Sequence, residues 1–259
     1  MHGALAMTSN ALDPPRPLLS VITVCHSSCQ DLTSTLQLFP EINASERVLI
    51  ENIVVLGNKR DDLLSVVNRY VPRAHVCFDA AQGPYAAMNL GAALASAQFL
   101  WFLNAGDLCN PCVVPQILSA IATTKSQIYA FSCIIQSSES SSIWKPSVSD
   151  LPLYTLPHPS LLFDRDLFFA IGGFNLDYKY VADRALILKA YYSGLHIEFS
   201  SLVIAKYVST PDAMSASFKA ICEDIGLTLS LRRLPRIATL KDFAVKLTRS
   251  LITALTRLQ

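Results

Sequence analysis

The sequence predicts an α/β protein, a mostly parallel sheet flanked by helices, on three observations. Strand-like and helix-like patterns alternate four times between residues 18 and 103, as they do when each helix returns the chain to the same sheet. Phe99, Leu100, Trp101, Phe102 and Leu103 run without a polar residue. That run is too short for a globular helix and reads as a strand buried on both faces. The chain is 51% hydrophobic and 16% charged over 259 residues, a composition and length that can fill a sizeable core.

Composition also narrows the function. No apolar run approaches the roughly 18 residues needed to span a bilayer, and residues 1–17 lack the charged and apolar regions of a signal peptide. A net charge of +1 makes no general case for nucleic acid as a partner. Seven irregularly spaced cysteines do not form a disulfide framework, so reduced thiols and a cytoplasmic location are expected.

Taken in order, residues 1–16 hold Pro14 and Pro15 without periodicity and read as a flexible leader. Residues 18–24 are β-branched and apolar and form the first strand, closed by Cys25-His26-Ser27-Ser28. Leu32, Leu36 and Phe39 give helical spacing over 31–39, and a second strand spans 47–56. An acidic first turn starts a helix over 61–70, followed by a short strand over 74–78. Gly83-Pro84 opens an alanine-rich helix over 84–97, and the buried aromatic strand follows it.

Beyond that strand, a helix is expected over 113–123, a strand over 128–136 and a serine-rich turn or loop over 137–142. Residues 151–163 carry no period that separates strand from loop. A short helix over 164–171 stops at Gly172-Gly173. An amphipathic helix spans 182–193 and a last strand 198–208. The pattern after Pro211 is helical only, which divides the chain into 17–210 and a C-terminal helical extension over 211–259.

Asn104-Ala105-Gly106-Asp107 ends the aromatic strand. These are turn-forming residues, but the carboxyl edge of an open α/β sheet is also where ligands bind, so Asp107 stands where chemistry is usually done. Cys109-Asn110-Pro111-Cys112 lacks the second ligand pair a zinc site needs and reads as incidental cysteines.

Several segments, in one order, resemble family 2 glycosyltransferases of the GT-A, Rossmann-like fold, in the branch that builds colanic acid and other exopolysaccharides. Residues 17–24 are similar to the opening nucleotide-binding strand. Gly83-Pro84-Tyr85-Ala86-Ala87-Met88-Asn89-Leu90-Gly91 resembles the family's Gly-x-Tyr-Asp-Ala-Met-Asn-x-Gly, and the segment ending in Asp107 resembles its acidic metal-binding strand end. His158-Pro159-Ser160-Leu161-Leu162-Phe163 with Gly172-Gly173-Phe174-Asn175 resembles a further motif pair, and Ala182-Asp183-Arg184-Ala185-Leu186 stands for Ala-Asp-x-Asp-Leu.

The resemblance implies transfer of a sugar from a nucleotide-diphospho-sugar to a glycan or lipid-linked acceptor, by an inverting displacement. It implies Asp107 as the ligand of Mg²⁺ or Mn²⁺, a hard cation that neutralises the leaving diphosphate, and Asp183 as general base. His26, Ser27, Asp61, Asn89, Asn104 and His158 are carried over as donor-binding residues. His26 either stacks on the base or simply ends its strand, and Asp79 is either an acidic donor contact or a solvated turn residue.

The departures bear on the donor. Leu56-Gly57-Asn58 lacks the carboxylate the family has after the second strand. Ala86 and Ala185 replace two more, Gly106 stands where an acid often precedes the metal ligand, and His26-Ser27 replaces Tyr-Asn. The alternative function is a catalytically impaired relative that binds nucleotide-sugar or glycan or acts as a scaffold. In the extension, Leu240, Phe243, Ala244, Leu247, Leu251 and Leu255 form one apolar stripe with Lys241, Lys246, Arg249 and Arg257 off it. Such a helix either packs on the domain or a partner subunit, or lies peripherally on the inner face of an anionic membrane.

Overall fold

The computed structural model describes residues 16–40, 49–79, 82–123, 125–137, 140–152, 154–208 and 217–230. The leader up to residue 15 and the apolar stripe beyond Leu240 lie outside the described residues.

Four parallel strands form one half of the sheet. They are β1 (Leu19–Cys25), β2 (Ile50–Leu56), β3 (His75–Phe78) and β4 (Phe99–Asn104), in the order β3-β2-β1-β4. Connections run through α1 (Cys29–Leu36), α2 (Asp61–Tyr70) and α3 (Pro84–Leu94). Local chemistry starts each helix. The Ser28 side chain accepts from the Asp31 N–H to cap α1, Asp61 and Asp62 occupy the first turn of α2, and Pro84 opens α3.

Register brings the functional ends together. Cys25 pairs with Leu56 and Val24 with Asn104, so the segments after β1, β2 and β4 emerge at one carboxyl edge.

The other half of the sheet is mixed. Its strands are β5 (Leu108–Cys109), β6 (Ile128–Gln136), β7 (Ser141–Trp144), β8 (Leu161–Asp164) and β9 (Ile197–Val208). The order continues β4-β8-β6-β9-β5, with β7 on β6. β8 runs antiparallel to both β4 and β6, and β6 and β9 are parallel. The expected parallel character therefore belongs to the first four strands and the β6–β9 pair. Residues 151–163, which had no readable period, contain the turn His158–Ser160 and the start of β8. Part of the expected serine-rich loop is β7.

The remaining helices are α4 (Val114–Thr123), α5 (Arg165–Ala170), α6 (Ala182–Tyr192) and α7 (Phe218–Ser230). Strand alternation sends side chains to two cores. Phe99, Trp101 and Leu103 pack with α1, α2 and α4 on one face, while Leu100 and Phe102 pack with α3, α5 and α6 on the other. Gly91 explains one glycine of the resemblance, since a Cβ there would lie 2.4 Å from Ile22 Cγ2. Any larger residue would push α3 off β1. Among the described residues, no helix is long and apolar enough to cross a membrane.

Candidate active site

At the carboxyl edge lies a cavity of about 820 Å³. Asp31, Asn104, Asp107, His158 and Asp183 line it, with Tyr85 and Lys179. A smaller cavity of about 480 Å³ lies against α6 near Gly172, Gly173 and Lys189, and contains none of the site residues expected from sequence.

Asp107 is held by a turn. Gly106 adopts φ 102°, which L-residues avoid, and this folds the chain so that the buried Asp107 Oδ2 accepts from the Asn104 N–H at 2.8 Å. Thr35 on α1 fastens the turn from behind. Its hydroxyl donates to the Asp107 carbonyl at 2.8 Å and accepts from the Gly106 N–H at 2.9 Å. The Asn104 Oδ1 atom is buried with no hydrogen-bond partner, an unusual state for a polar atom. Asp31, at the start of α1, joins the same wall and takes the Gly106 N–H on its carbonyl.

His158 reaches the site because β4 anchors its turn. The indole of Trp101 donates to the Pro159 carbonyl at 2.8 Å within the core. His158 Nε2 then lies 3.2 Å from Asp107 Oδ2. The approach is a charge contact and not an aligned hydrogen bond. Burial works against the imidazolium, but Asp107 beside it, and Asp183 more weakly, outweigh burial and raise the His158 pKa.

Asp183 occupies the second residue of α6, with Val181 at the N-cap position. It is 7% exposed. Its Oδ1 accepts from the Arg184 N–H at 2.8 Å and stands 3.0 Å from the Tyr85 hydroxyl. Burial raises its pKa, while the His158 charge, the Arg184 N–H and the Tyr85 hydroxyl pull the other way. A carboxylate tuned upward in a cavity is better matched to taking a proton near neutral pH than an ordinary one.

Of the residues expected from sequence, Asn104, Asp107, His158 and Asp183 line one chamber. The others do not. Asn89 commits both ends of its amide to Phe174, donating to the carbonyl at 2.8 Å and accepting from the N–H at 3.0 Å, so it clamps α3 to the Gly173 turn. Asp61 is exposed at the start of α2 and is absent from the cavity lining. His26 and Ser27 are exposed at the end of β1. The His26 ring sits over Gly57, where a Cβ would lie 2.7 Å from Nδ1. The His26 carbonyl accepts from the Asn58 amide and the Ser27 carbonyl from Arg60. Sequence reading missed Asp31, Thr35 and Lys179. Only Asp31, acidic and just after the first strand, carried a signal.

Cys109 lies buried in β5 and Cys112 exposed in the following turn, both free. The described residues hold no group of three or more His, Cys, Asp or Glu side chains able to share a metal.

Comparison with known proteins identifies the fold and the family. A curated relative, an uncharacterized glycosyltransferase of Mycobacterium tuberculosis, is 30% identical over 184 residues, covering 67% of this chain and 69% of the relative. A PGL/p-HBAD biosynthesis glycosyltransferase of Mycobacterium bovis is 27% identical over 165 residues, covering 61% and 64%. Among solved structures, S. aureus TarS in complex with UDP-GlcNAc superposes with TM-score 0.67 at 14% identity, over 90% of this chain and 72% of that one. The mannosyltransferase PcManGT from Pyrobaculum calidifontis, in complex with GDP-Man and Mn²⁺, gives TM-score 0.66 at 17% identity, over 94% and 75%. The chain spans 43% of a longer TarS structure. These likenesses show the GT-A fold. The family model described as Glycosyl transferase family 2 matches residues 20–183, from β1 to Asp183, and the chain belongs to that family.

Proposed function

We propose that the protein transfers a sugar from a nucleotide-diphospho-sugar to a hydroxyl acceptor with inversion, using Asp183 as base and Asp107 as cation ligand. The observation that carries the reading is one chamber lined by both carboxylates, with His158 in contact with Asp107. In this scheme the acceptor oxygen forms a bond to the anomeric carbon and gives its proton to Asp183. The bond from that carbon to the phosphate oxygen breaks, and its electron pair leaves with the nucleoside diphosphate.

The donor set fits a hard cation. Asp107 offers a carboxylate and the buried Asn104 Oδ1 offers an unpartnered acceptor, both oxygen, with phosphate and water to complete the shell. Mg²⁺ or Mn²⁺ held there supplies positive charge to the departing diphosphate. His158, beside Asp107, is placed to add positive charge on the same side when protonated.

The acceptor in this reading is a glycan or a lipid-linked molecule, in keeping with a relative named for PGL/p-HBAD biosynthesis. The sequence pattern of a basic apolar stripe from Leu240 to Arg257 supports a peripheral contact with the inner membrane surface. Cosedimentation with anionic vesicles tests this: equal recovery with and without residues 231–259 removes the proposal. The exposed His26, Ser27 and Asp61, with no carboxylate at the end of β2, favour a second reading, a relative that binds nucleotide-sugar without turning it over.

A thermal-shift and turnover panel separates the two readings. UDP, GDP, UDP-GlcNAc and GDP-mannose are tested with and without Mn²⁺, and nucleoside diphosphate release is measured. A ligand at about 100 times its Kd adds roughly 2.7 kcal/mol of stability. Cation-dependent stabilisation with release supports transfer, stabilisation without release supports the second reading, and neither response rejects both.

A further inference from the structure

We propose that α7 belongs to the catalytic unit, with Glu223 and Asp224 as positioning residues that fix the start of α6 and thereby Asp183. The inference rests on Asp183 being the base. Its source is the way α6 begins.

A helix start leaves N–H groups without partners, usually met by Ser, Thr, Asp or Asn at the N-cap. Here the N-cap is Val181, which has no side-chain acceptor. Glu223, from another helix, supplies one. Its carboxylate accepts from the Lys179, Tyr180 and Val181 N–H groups at 2.8, 2.6 and 3.0 Å. The three residues that lead into Asp183 are thus held by one side chain on α7.

The next residue holds the other flank. Asp224 Oδ1 lies 2.6 Å from Arg184 Nε, with the arginine side chain 1% exposed, and Arg184 also donates to the Pro152 carbonyl at 2.9 Å. A buried ion pair is weak evidence of net stabilisation, but it fixes which groups must meet. The adjacent carboxylates therefore bracket Asp183, one through residues 179–181 and the other through residue 184.

The bracket extends to the proton path. The Tyr85 hydroxyl lies 3.0 Å from both the Tyr180 carbonyl and Asp183 Oδ1. Holding residue 180 therefore holds the hydroxyl that touches the base. α7 is also a wall of the chamber, through Ala220, Ile221 and Asp224. The family match ends at residue 183, so this brace comes from outside the matched segment. The catalytic unit then extends past residue 210, to the end of α7.

The test compares Glu223→Gln, Glu223→Asp and Asp224→Asn with Asp183→Asn, in the full chain. Three readouts are taken below the transition temperature: nucleoside diphosphate release from UDP-GlcNAc and GDP-mannose, UDP and GDP affinity with Mn²⁺, and Tm. Misplacing a reacting group by an ångström can cost about 100-fold, so Glu223→Gln should lower kcat on the order of 10- to 100-fold with nucleotide affinity unchanged. Glu223→Asp, with the charge kept, should recover part of the loss. In the Asp183→Asn background, Glu223→Gln should cost little more, because it acts through the residue already removed.

A lower Tm with kcat unchanged in Glu223→Asp and Asp224→Asn overturns the proposal, and so does full additivity with Asp183→Asn. If Glu223→Gln does not fold, the two milder variants decide by the same kcat criterion. Survival of turnover in Asp183→Asn itself would instead remove the base assignment, which separates the two failures.

Discussion

Replacing Asp183 with asparagine separates chemistry from architecture, because the structure gives Asp183 little architectural duty. The N-cap of α6 is Val181 and the preceding N–H groups are taken by Glu223. Asp183 itself accepts from the Arg184 N–H and the Tyr85 hydroxyl, both at Oδ1, and an asparagine carbonyl can accept the same two. The variant also removes a buried charge whose pKa burial has already raised. The stability change should therefore stay within about 1 kcal/mol.

Turnover should respond very differently. Loss of a general base costs about 10²- to 10⁴-fold, or roughly 2.7–5.4 kcal/mol in the barrier at about 1.36 kcal/mol per decade. Asp183→Ala adds a structural defect of about 1–3 kcal/mol, because the Arg184 N–H loses its buried acceptor, while the Tyr85 hydroxyl keeps the Tyr180 carbonyl. The assay is nucleoside diphosphate release at saturating UDP-GlcNAc or GDP-mannose, with Tm and UDP or GDP affinity measured beside it. Turnover by Asp183→Asn within a few-fold of the parent refutes the reasoning. So would a loss of nucleotide affinity as large as the loss of turnover.

Three further outcomes are expected. Asp107→Asn should remove the Mn²⁺-dependent part of UDP or GDP binding in calorimetry while leaving the cation-independent part, and unchanged Mn²⁺ dependence counts against the ligand role. Thr35→Val takes the hydroxyl donor from the Asp107 carbonyl and leaves the Gly106 N–H with the Asp31 carbonyl alone. It should cost about 1–3 kcal/mol, read as a lower Tm, and weaken the same cation-dependent binding; a Tm equal to the parent's rejects the fastening role. Glu51 gives the pH dependence. Burial works against its carboxylate, but hydrogen bonds from Ser20 and Ser96 outweigh it and lower the pKa below the usual 4.5. A depressed carboxylate stabilises the fold above its unfolded pKa, and that contribution disappears as pH falls through the folded value. Glu51→Gln should therefore lower Tm at pH 7 and lose the deficit progressively below about pH 4.5. A deficit constant across that range shows the effect is not electrostatic.

Part of the candidate site was legible because the Asp107 end of it is local. A strand buried on both faces has a distinctive apolar run, and an acid after it falls at the carboxyl edge whatever the rest of the fold does. Asp107 could therefore be located from residues beside it, whereas Asp183 came from the resemblance of Ala182-Asp183-Arg184-Ala185-Leu186 to the family's motif. Asn89 could not be read this way. An amide in a helix looks the same whether it meets a ribose or a backbone, and here it meets the backbone of Phe174, 85 residues on. β8 escaped notice for a related reason: its Leu161-Leu162-Phe163 follows Pro157 and Pro159, and only the partners β4 and β6 make it a strand.

The alternating architecture of the first half follows from the order of residues alone, because the periods of strand and helix are set by each residue's own backbone geometry. The same order sets the positions of the two acids at element ends. What surrounds them is set by long-range packing: Thr35 behind the Asp107 turn, Trp101 carrying His158 into contact, and Glu223 closing a helix that opens on valine. Each of these is a hydrogen bond between groups tens of residues apart. Such bonds have no period, so only the folded packing of the elements brings their partners into reach.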